Sequence, residues 1–316
     1  FDEDRIRSYQ LYANKLWNVA RYILGATEGT ALPGVDQLPP DSLQAVDRWL
    51  LSRLDGLVSR VTRGIDGYRP GDAITGIYDF TWHDLADRYI EAIKPRLQLE
   101  SADAARVAAA SVAVHALDRV VRLLHPFMPY VTEAIWERLT DGRPPLTARA
   151  AQSVWPLPDG WADAALETGA EAVFELVRRL RDARKDMGIS DRERVPAVLR
   201  GSVGGNLPEA DARALLAALA RLELVDELPG APGREVVGDG VEISLGAPAT
   251  GAGGDRAALE RELKEAQANI ERLEHQLAND AFVARANPAV VKRAREQLDA
   301  AREKRTALEE AFSRAK

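Results

Sequence analysis

The sequence predicts a mainly α protein: an antiparallel helix bundle, a small α+β subdomain, then a C-terminal antiparallel coiled-coil hairpin. Three observations predict it. Apolar residues recur at spacings of three and four through most of the chain up to Asp186, as helices with one buried stripe require. Short strand-like runs broken by Gly and Pro occur between 189 and 248. From 257 onward the three–four alternation returns, with dense charge between the apolar positions.

Residues 1 to 25 read as a first helix ending near Gly25, followed by a loop carrying Pro33, Gly34, Pro39 and Pro40. Asp41 or Ser42 is expected to cap a second helix running to Gly67, whose stripe is Val46, Leu50, Leu54, Leu57 and Val61. Asp72 begins a third helix, with Ile74, Ile77, Phe80, Leu85, Tyr89 and Ile93 facing inward. Lys94-Pro95 ends or kinks it. Ser101 or Asp103 starts a fourth, Ala-rich helix to Leu124, and a fifth runs from Val131 to Leu139 after the break at His125 to Tyr130. Short joints make this bundle, 1–140, antiparallel.

Residues 141–188 hold an irregular stretch with Trp155-Pro156 and Trp161 laid across the bundle, then a helix from Ala162 to Asp186. Its C-terminal half carries Arg178, Arg179, Arg181, Arg184 and Lys185. Basic residues there complement the helix dipole, and they could also sit on phosphates. In 189–248, Val195–Leu199 reads as a strand, Glu209–Leu222 as a helix and Leu224–Leu228 as a strand. Glu235–Leu245 reads as a hairpin turning at Gly238-Asp239-Gly240. A Gly- and Ala-rich linker, 249–256, leads to the hairpin at 257–316. There Leu259, Leu263, Ala266, Ile270, Leu273 and Leu277 form one seam, and Val291, Ala294, Leu298, Ala301, Arg305, Leu308 and Phe312 the other. Pro288 lies in the turn between them.

Composition narrows the function. There is no Cys, which excludes a disulfide scaffold, a thiolate metal site and a Cys nucleophile. No apolar run is long enough to span a membrane, and the chain is expected to be cytoplasmic and monomeric. The net charge is −7. From Arg256 to Lys316 there are 13 Lys and Arg against 11 Asp and Glu, a surplus of two that leaves −9 for the rest. His83, His115, His125 and His275 are scattered, with no carboxylate at ligand spacing, so no metal site is expected. No phosphate-binding glycine loop or nucleophile elbow is present. The chain reads as a binding part with no catalytic residues of its own.

One stretch suggests what is bound. In Asn14-Lys15-Leu16-Trp17-Asn18-Val19-Ala20-Arg21-Tyr22, the residues Asn14, Trp17, Asn18 and Arg21 share one side of a helix. Amides, an indole and a guanidinium together suit unpaired RNA bases: amides read base edges, and the planar groups stack. The plainer reading is that Trp17 belongs to the core and the Asn residues pack between helices.

Several motifs resemble the C-terminal half of valyl-tRNA synthetases, which are class I aminoacyl-tRNA synthetases. They include Ala13-Asn14-Lys15-Leu16-Trp17-Asn18 with Arg21-Tyr22, and Asp47-Arg48-Trp49-Leu50-Leu51-Ser52-Arg53-Leu54. Tyr78-Asp79-Phe80 with Trp82, Asp87-Arg88-Tyr89-Ile90-Glu91 and Lys94-Pro95 also fit. The strongest is Leu123-Leu124-His125-Pro126-Phe127-Met128-Pro129-Tyr130-Val131-Thr132-Glu133 with Ile135-Trp136. Leu277-Ala278-Asn279, Phe282-Val283, Pro288 and Val290-Val291 resemble the valyl enzymes' tRNA-binding arm rather than anything in the isoleucyl or leucyl enzymes. The resemblance covers nearly the whole chain and is weakest from 189 to 254.

The resemblance implies a bundle that holds the anticodon stem-loop and an arm that touches the outer corner of valine tRNA. The HIGH and KMSKS signatures and the editing domain of the family are absent here. ATP and Mg would therefore belong to an upstream catalytic domain of the same polypeptide, and this chain would hold no cofactor. The start at Phe1 rather than Met fits that expectation. The expected anticodon contacts are Asn14, Trp17, Asn18, Arg21, Trp49 and Arg53, on helices expected to lie side by side. The expected arm contacts are Arg261, Lys264, Arg272, Arg285, Lys292, Arg293 and Arg295. Two other readings stand beside this one. A coiled-coil module could pair with a protein, for which Arg305 at a seam position is the signal. A stand-alone paralogue could bind tRNA without charging it.

Overall fold

The computed structural model describes residues 3–28, 30, 32–140, 149–190, 193–230, 232–238 and 240–246, and parts of two helical stretches at 263–278 and 298–309. It divides into two compact units, Phe1–Gly246 and Ala247–Lys316. In the first unit the helices are α1 (Glu3–Ala26), α2 (Ala45–Asp66), α3 (Pro70–Asp79), a π-helical segment (Phe80–Ile90), α4 (Glu91–Leu97), α5 (Ala104–Leu124), α6 (Pro129–Thr140), α7 (Ala164–Asp186) and α8 (Glu209–Ala220). The strands are β1 (Val195–Arg200), β2 (Leu222–Leu224), β3 (Pro232–Gly238) and β4 (Val241–Gly246). The protein is thus mainly helical with one small four-stranded sheet.

The π segment follows from the sequence. Ala73, Ile77, Thr81, Leu85, Tyr89, Ile93 and Leu97 are all buried, and each is four positions after the last. At 3.6 residues per turn a strict four-residue repeat drifts by about 40° per step, which would carry the stripe off the core within a few turns. The wider π turns take up that drift and keep the stripe inward. The helical run therefore continues past Lys94 to Leu97 with Pro95 inside it, where the sequence had left either an end or a kink at Lys94-Pro95.

Helix ends are held by named groups. α5 starts at Asp103, whose carboxylate accepts from the Ala105 N–H at 2.8 Å. α2 starts later than expected, at Ala45, because Pro40–Ser42 form a 3₁₀ turn before it. Its first N–H groups are taken by carboxylates rather than by Asp41 or Ser42: Gln44 N–H donates to Asp47 at 2.9 Å, and Ala45 N–H donates to Asp211 of α8 at 2.6 Å. The C-terminal carbonyls of α1 and α4 meet on Arg106, which donates to Ala26 O at 2.9 Å and Leu97 O at 2.8 Å.

A buried ion pair sits where α2, the π segment and α4 meet. Asp47 is fully buried and receives both terminal nitrogens of Arg96, each at 2.7 Å. The Tyr89 hydroxyl is 2.8 Å from the same carboxylate. Burial, then the Asp47 charge, pushes the Tyr89 phenol well above its ordinary range, so it stays a donor. The guanidinium of Arg96 is also held charged: burial works against it, and Asp47 outweighs burial.

The segment 149–161 crosses α2, as Trp155 and Trp161 suggested. Trp155 Nε1–H donates to Thr62 at 2.9 Å, and the N–H groups of Asp159 and Trp161 donate to the buried carboxylate of Asp55. The sheet has the order β2-β1-β4-β3, with β1 and β2 parallel and the other pairs antiparallel. β1-α8-β2 is therefore a crossover unit. β2 spans Leu222–Leu224 rather than the expected Leu224–Leu228, sharing only Leu224 with it, because Arg221 takes a left-handed conformation, φ +52°, and ends α8 at Ala220. β3 and β4 form the expected hairpin, with Gly238 opposite Val241.

In the second unit, Ile270, Leu273, Leu298 and Ala301 are buried together, with Leu277 packed against them. Arg302 donates to Glu274 at 2.6 Å and Arg305 to Gln267 at 3.2 Å.

The buried pair generates a prediction. Asp47→Ala strands a guanidinium and a phenol in the core and should cost about 3–5 kcal/mol of unfolding free energy, the magnitude for breaking a buried pair by removing one partner. Denaturant unfolding of the variant checks this.

Candidate nucleic-acid interface

α1 packs on α5, α6 and the π segment, and its outward side is the candidate surface. The stripe Asn14, Asn18, Arg21 is exposed, at positions i, i+4 and i+7 of one helix. Arg21 Nη2 donates to Asn18 Oδ1 at 3.3 Å, so the guanidinium of this exposed residue lies along the helix. Trp17 is half-buried, and the Arg138 guanidinium of α6 lies 4.6 Å from its ring centroid. On the other flank, Lys15 donates to Asp87 at 2.9 Å and stands 4.9 Å over the Trp82 ring. Trp82 stacks on Tyr78, and Tyr78 meets the buried Tyr12 at a tilt of 46°. These contacts fix the roll of α1, so the amide–guanidinium stripe faces out.

The stripe extends to two residues that spacing alone had not joined to it. Tyr22 is partly exposed, and Lys94 Nζ lies 5.8 Å from its ring while pairing with Glu91 at 2.5 Å. The signal was the parallel course of α1 and the α3–α4 run. Tyr12 touches Tyr78, Lys15 touches Trp82, and Tyr22 lies near Lys94. The result is a strip of amides, an aromatic ring and two cations. Such a strip can hydrogen-bond base edges and stack base planes.

Trp49 and Arg53 lie elsewhere. α2 packs chiefly on α3, α5, α7 and the π segment, so the expected side-by-side pairing of the first two helices is replaced by packing through α5 and the π segment. Trp49 is 1% exposed and meets Phe174 of α7 edge-on at 4.8 Å. Its faces are covered by protein. Arg53 donates to Asp84 at 3.0 Å and to Glu167 at 3.3 Å. Burial works against its charge, and those two carboxylates more than restore it. Asp84 also receives Arg88, which pairs with Glu171 and lies 4.3 Å from the Phe174 ring. Both sequence candidates therefore tie α2 to α7 and the π segment. Nothing in one sequence distinguishes an arginine that meets carboxylates distant along the chain from one that meets solvent.

The basic run on α7 is likewise engaged. Arg178 and Arg179 grip Glu175 and hold its carboxyl down to about 2. Arg181 donates to Leu219 O, and the buried Arg184 donates to the carbonyls of Ala220, Arg221, Ser190 and Glu193. Arg181 and Arg184 thus hold α7 to α8 and to the approach of β1. Among the arm candidates, Lys264 is exposed on a helical stretch. Arg261, Arg272, Arg285, Lys292, Arg293 and Arg295 lie outside the described residues. Arg305 is half-buried and meets Gln267 and Glu309 of the same unit. Among the described residues no group of three or more acidic or His side chains could hold a metal ion.

Two stretches of the chain match known classes of domain, and α1 lies before the first of them. Residues 47–199 match the family described as the anticodon-binding domain of tRNA ligase. Residues 254–316 match a second family, the valyl tRNA synthetase tRNA binding arm. The valine–tRNA ligase of Symbiobacterium thermophilum is 33% identical over 98% of this chain and 36% of its own length. Those of Synechocystis and Thermotoga maritima are 30% and 32% identical, over 98% and 96% of the chain and 35% and 34% of their lengths. The chain belongs to the valine–tRNA ligase family and matches the C-terminal region of its members. It spans about a third of the length of these relatives.

The contrast between Arg53 and Arg21 is testable. Arg53→Ala leaves the Asp84 carboxylate buried with one cation fewer, and should destabilise the fold by about 1–3 kcal/mol near neutral pH. Burial already raises the Asp84 pKa, and losing Arg53 raises it further. A carboxyl whose folded pKa exceeds its unfolded value favours unfolding above that value and ceases to do so once protonated. The deficit should therefore shrink as pH falls through the raised pKa. Arg21→Ala should alter stability by less than about 0.5 kcal/mol. Thermal unfolding across a pH series checks both.

Proposed function

We propose that this chain is the tRNA-recognition portion of a valine–tRNA ligase. It binds valine tRNA through two surfaces and supports ATP-dependent valylation carried out by an upstream catalytic domain. The observation that carries this reading is the succession, on one chain, of matches to an anticodon-binding domain and to a valyl-type tRNA binding arm. The strip on α1 supports a division of labour. Anticodon bases are unpaired and can be splayed onto Arg21, Tyr22 and the free part of Trp17, with Asn14 and Asn18 at their edges.

The second surface is the arm. The contacts of Arg302 with Glu274 and of Arg305 with Gln267 run in opposite senses along the two stretches, which supports an antiparallel coiled-coil hairpin. Lys264 and the other basic residues of 257–316 would meet phosphates at the tRNA's outer corner and add affinity without reading sequence. No cofactor is bound by this portion; ATP and Mg act in the catalytic domain. The chain works as a monomer in the cytoplasm.

Binding of valine tRNA to this chain across a salt series tests the reading. Affinity should fall by about tenfold or more between low and physiological salt, as counterion release requires. An Asn18→Ala, Arg21→Ala double variant should bind about tenfold more weakly at any one salt, the scale of a lost stacking contact. Absence of binding at low salt would transfer the arm to a protein partner.

A further inference from the structure

We infer that the bundle holds a small-molecule site between α5, α6 and the loop after α1, and that the site takes a neutral single-ring aromatic bearing a hydroxyl group. Such a site is separate from tRNA recognition and does not depend on it. A buried polar atom points to it. Ser111, in the middle of α5, is 3% exposed, and its hydroxyl meets no hydrogen-bond partner among the described residues. Helical hydroxyls elsewhere in this unit donate to the carbonyl four positions back, as Thr75 does to Gly71, Thr81 to Ile77 and Thr168 to Ala164. Ser111 does not. A buried hydroxyl without a partner is costly, and its place in the structure requires an explanation.

Ser111 lines a cavity of about 230 Å³. The walls are mostly apolar: Leu32 and Val35 from the loop, Val114 from α5, and Trp136 and Leu139 from α6. An apolar cavity of about 150 Å³ is enough to take benzene, so this one has room for a ring and a substituent. The polar groups gather on one side. Ser111, His115 and Asp118 stand at i, i+4 and i+7 of α5, on one face of the helix.

Those groups select the substituent. His115 Nε2 lies 3.0 Å from Asp159. The His115 hydrogen bond and Arg119 outweigh burial and hold the Asp159 carboxyl below its ordinary range, so it stays ionised. A carboxylate only accepts, so Nε2 carries the proton, and Nδ1 of the neutral ring is left as an acceptor. The Asp118 carboxylate is an acceptor too. With the Ser111 hydroxyl able to take either role, this wall requires a donor from the ligand. Charge argues against an ammonium as that donor. Asp118 is paired with Arg122, and Asp159 with His115 and with Arg119 at 2.9 Å, so neither carboxylate is left uncompensated. An uncharged hydroxyl on an aromatic ring meets both demands.

Calorimetric titration of the 316-residue chain with phenol, and with toluene as a similar shape lacking the donor, tests the inference. Phenol should bind saturably, about tenfold tighter than toluene, the scale of one hydrogen bond to an otherwise unpaired buried group. Ser111→Ala keeps the space, and α5 already carries Ala108, Ala109, Ala110 and Ala113, so this variant should fold. It should cut the preference for phenol to about twofold or less, and leave the melting temperature of the free chain unchanged or raised, because it deletes an unpaired group. Val114→Phe, which fills the cavity, should abolish phenol binding; if that variant does not fold, the Ser111→Ala comparison decides alone. Non-saturable binding, equal affinity for phenol and toluene, or a phenol preference that survives Ser111→Ala overturns the inference. A lower melting temperature for Ser111→Ala also overturns it, by showing that the hydroxyl has a partner within the protein.

Discussion

The fully buried carboxylate of Asp47 receives hydrogen-bond donors from three residues. Arg96 approaches with both terminal nitrogens, the Tyr89 hydroxyl lies on Oδ1, and the Gln44 N–H closes the start of α2. An ion pair this buried contributes little net stability, because desolvation offsets the attraction. It contributes register. Only one rotation and one translation of α2 against the π segment and α4 satisfy every donor. That setting in turn places Lys94 of α4 beside Tyr22 of α1. The outward strip of α1 depends on a contact made on the far side of the helices it packs against.

The same logic runs outward from α2. Asp55 holds the crossing segment, and Ser52, Arg53 and Trp49 hold α7 and its capping residue Asp163. Asp211 caps the first turn of α2 from α8, so the four-stranded sheet and the bundle share one compact unit. Asp47, Ser52, Arg53 and Asp55 of α2 are thus committed to protein partners, as are Arg178, Arg179, Arg181 and Arg184 of α7. On α1 the stripe of Asn14, Asn18 and Arg21 stays exposed, with Arg21 bonded to Asn18 of the same helix. On a chain with net charge −7, the proposed reading assigns base contacts to this stripe and phosphate contacts to the basic residues of the terminal segment.

Much of the fold was legible. The Asp103 cap, the hairpin at Gly238 to Val241 and the helical stretches all carry local signals: a capping carboxylate, a glycine turn and periodic burial. The four-residue stripe from Ala73 to Leu97 was also in the sequence, and a strict count would have given the π segment. What was not legible depends on contacts between distant residues. Asp211 displaces Asp41 and Ser42 as a cap across 166 positions, and Glu167 and Asp84 claim Arg53. Of the anticodon candidates, the α1 set remained outward because it lies on a single helix face, where spacing is reliable. Trp49 turned inward because its helix is covered on several sides.

The central claim is that the bundle reads bases while the terminal arm supplies general affinity. The most direct measurement compares this chain's affinity for valine tRNA with that for the same tRNA carrying exchanged anticodon bases, at one salt concentration. The account predicts a loss of about tenfold or more, the scale of one or two forfeited base contacts. Equal affinity for the two tRNAs would contradict it, and would leave the strip of Asn14, Asn18 and Arg21 without a role in reading the anticodon.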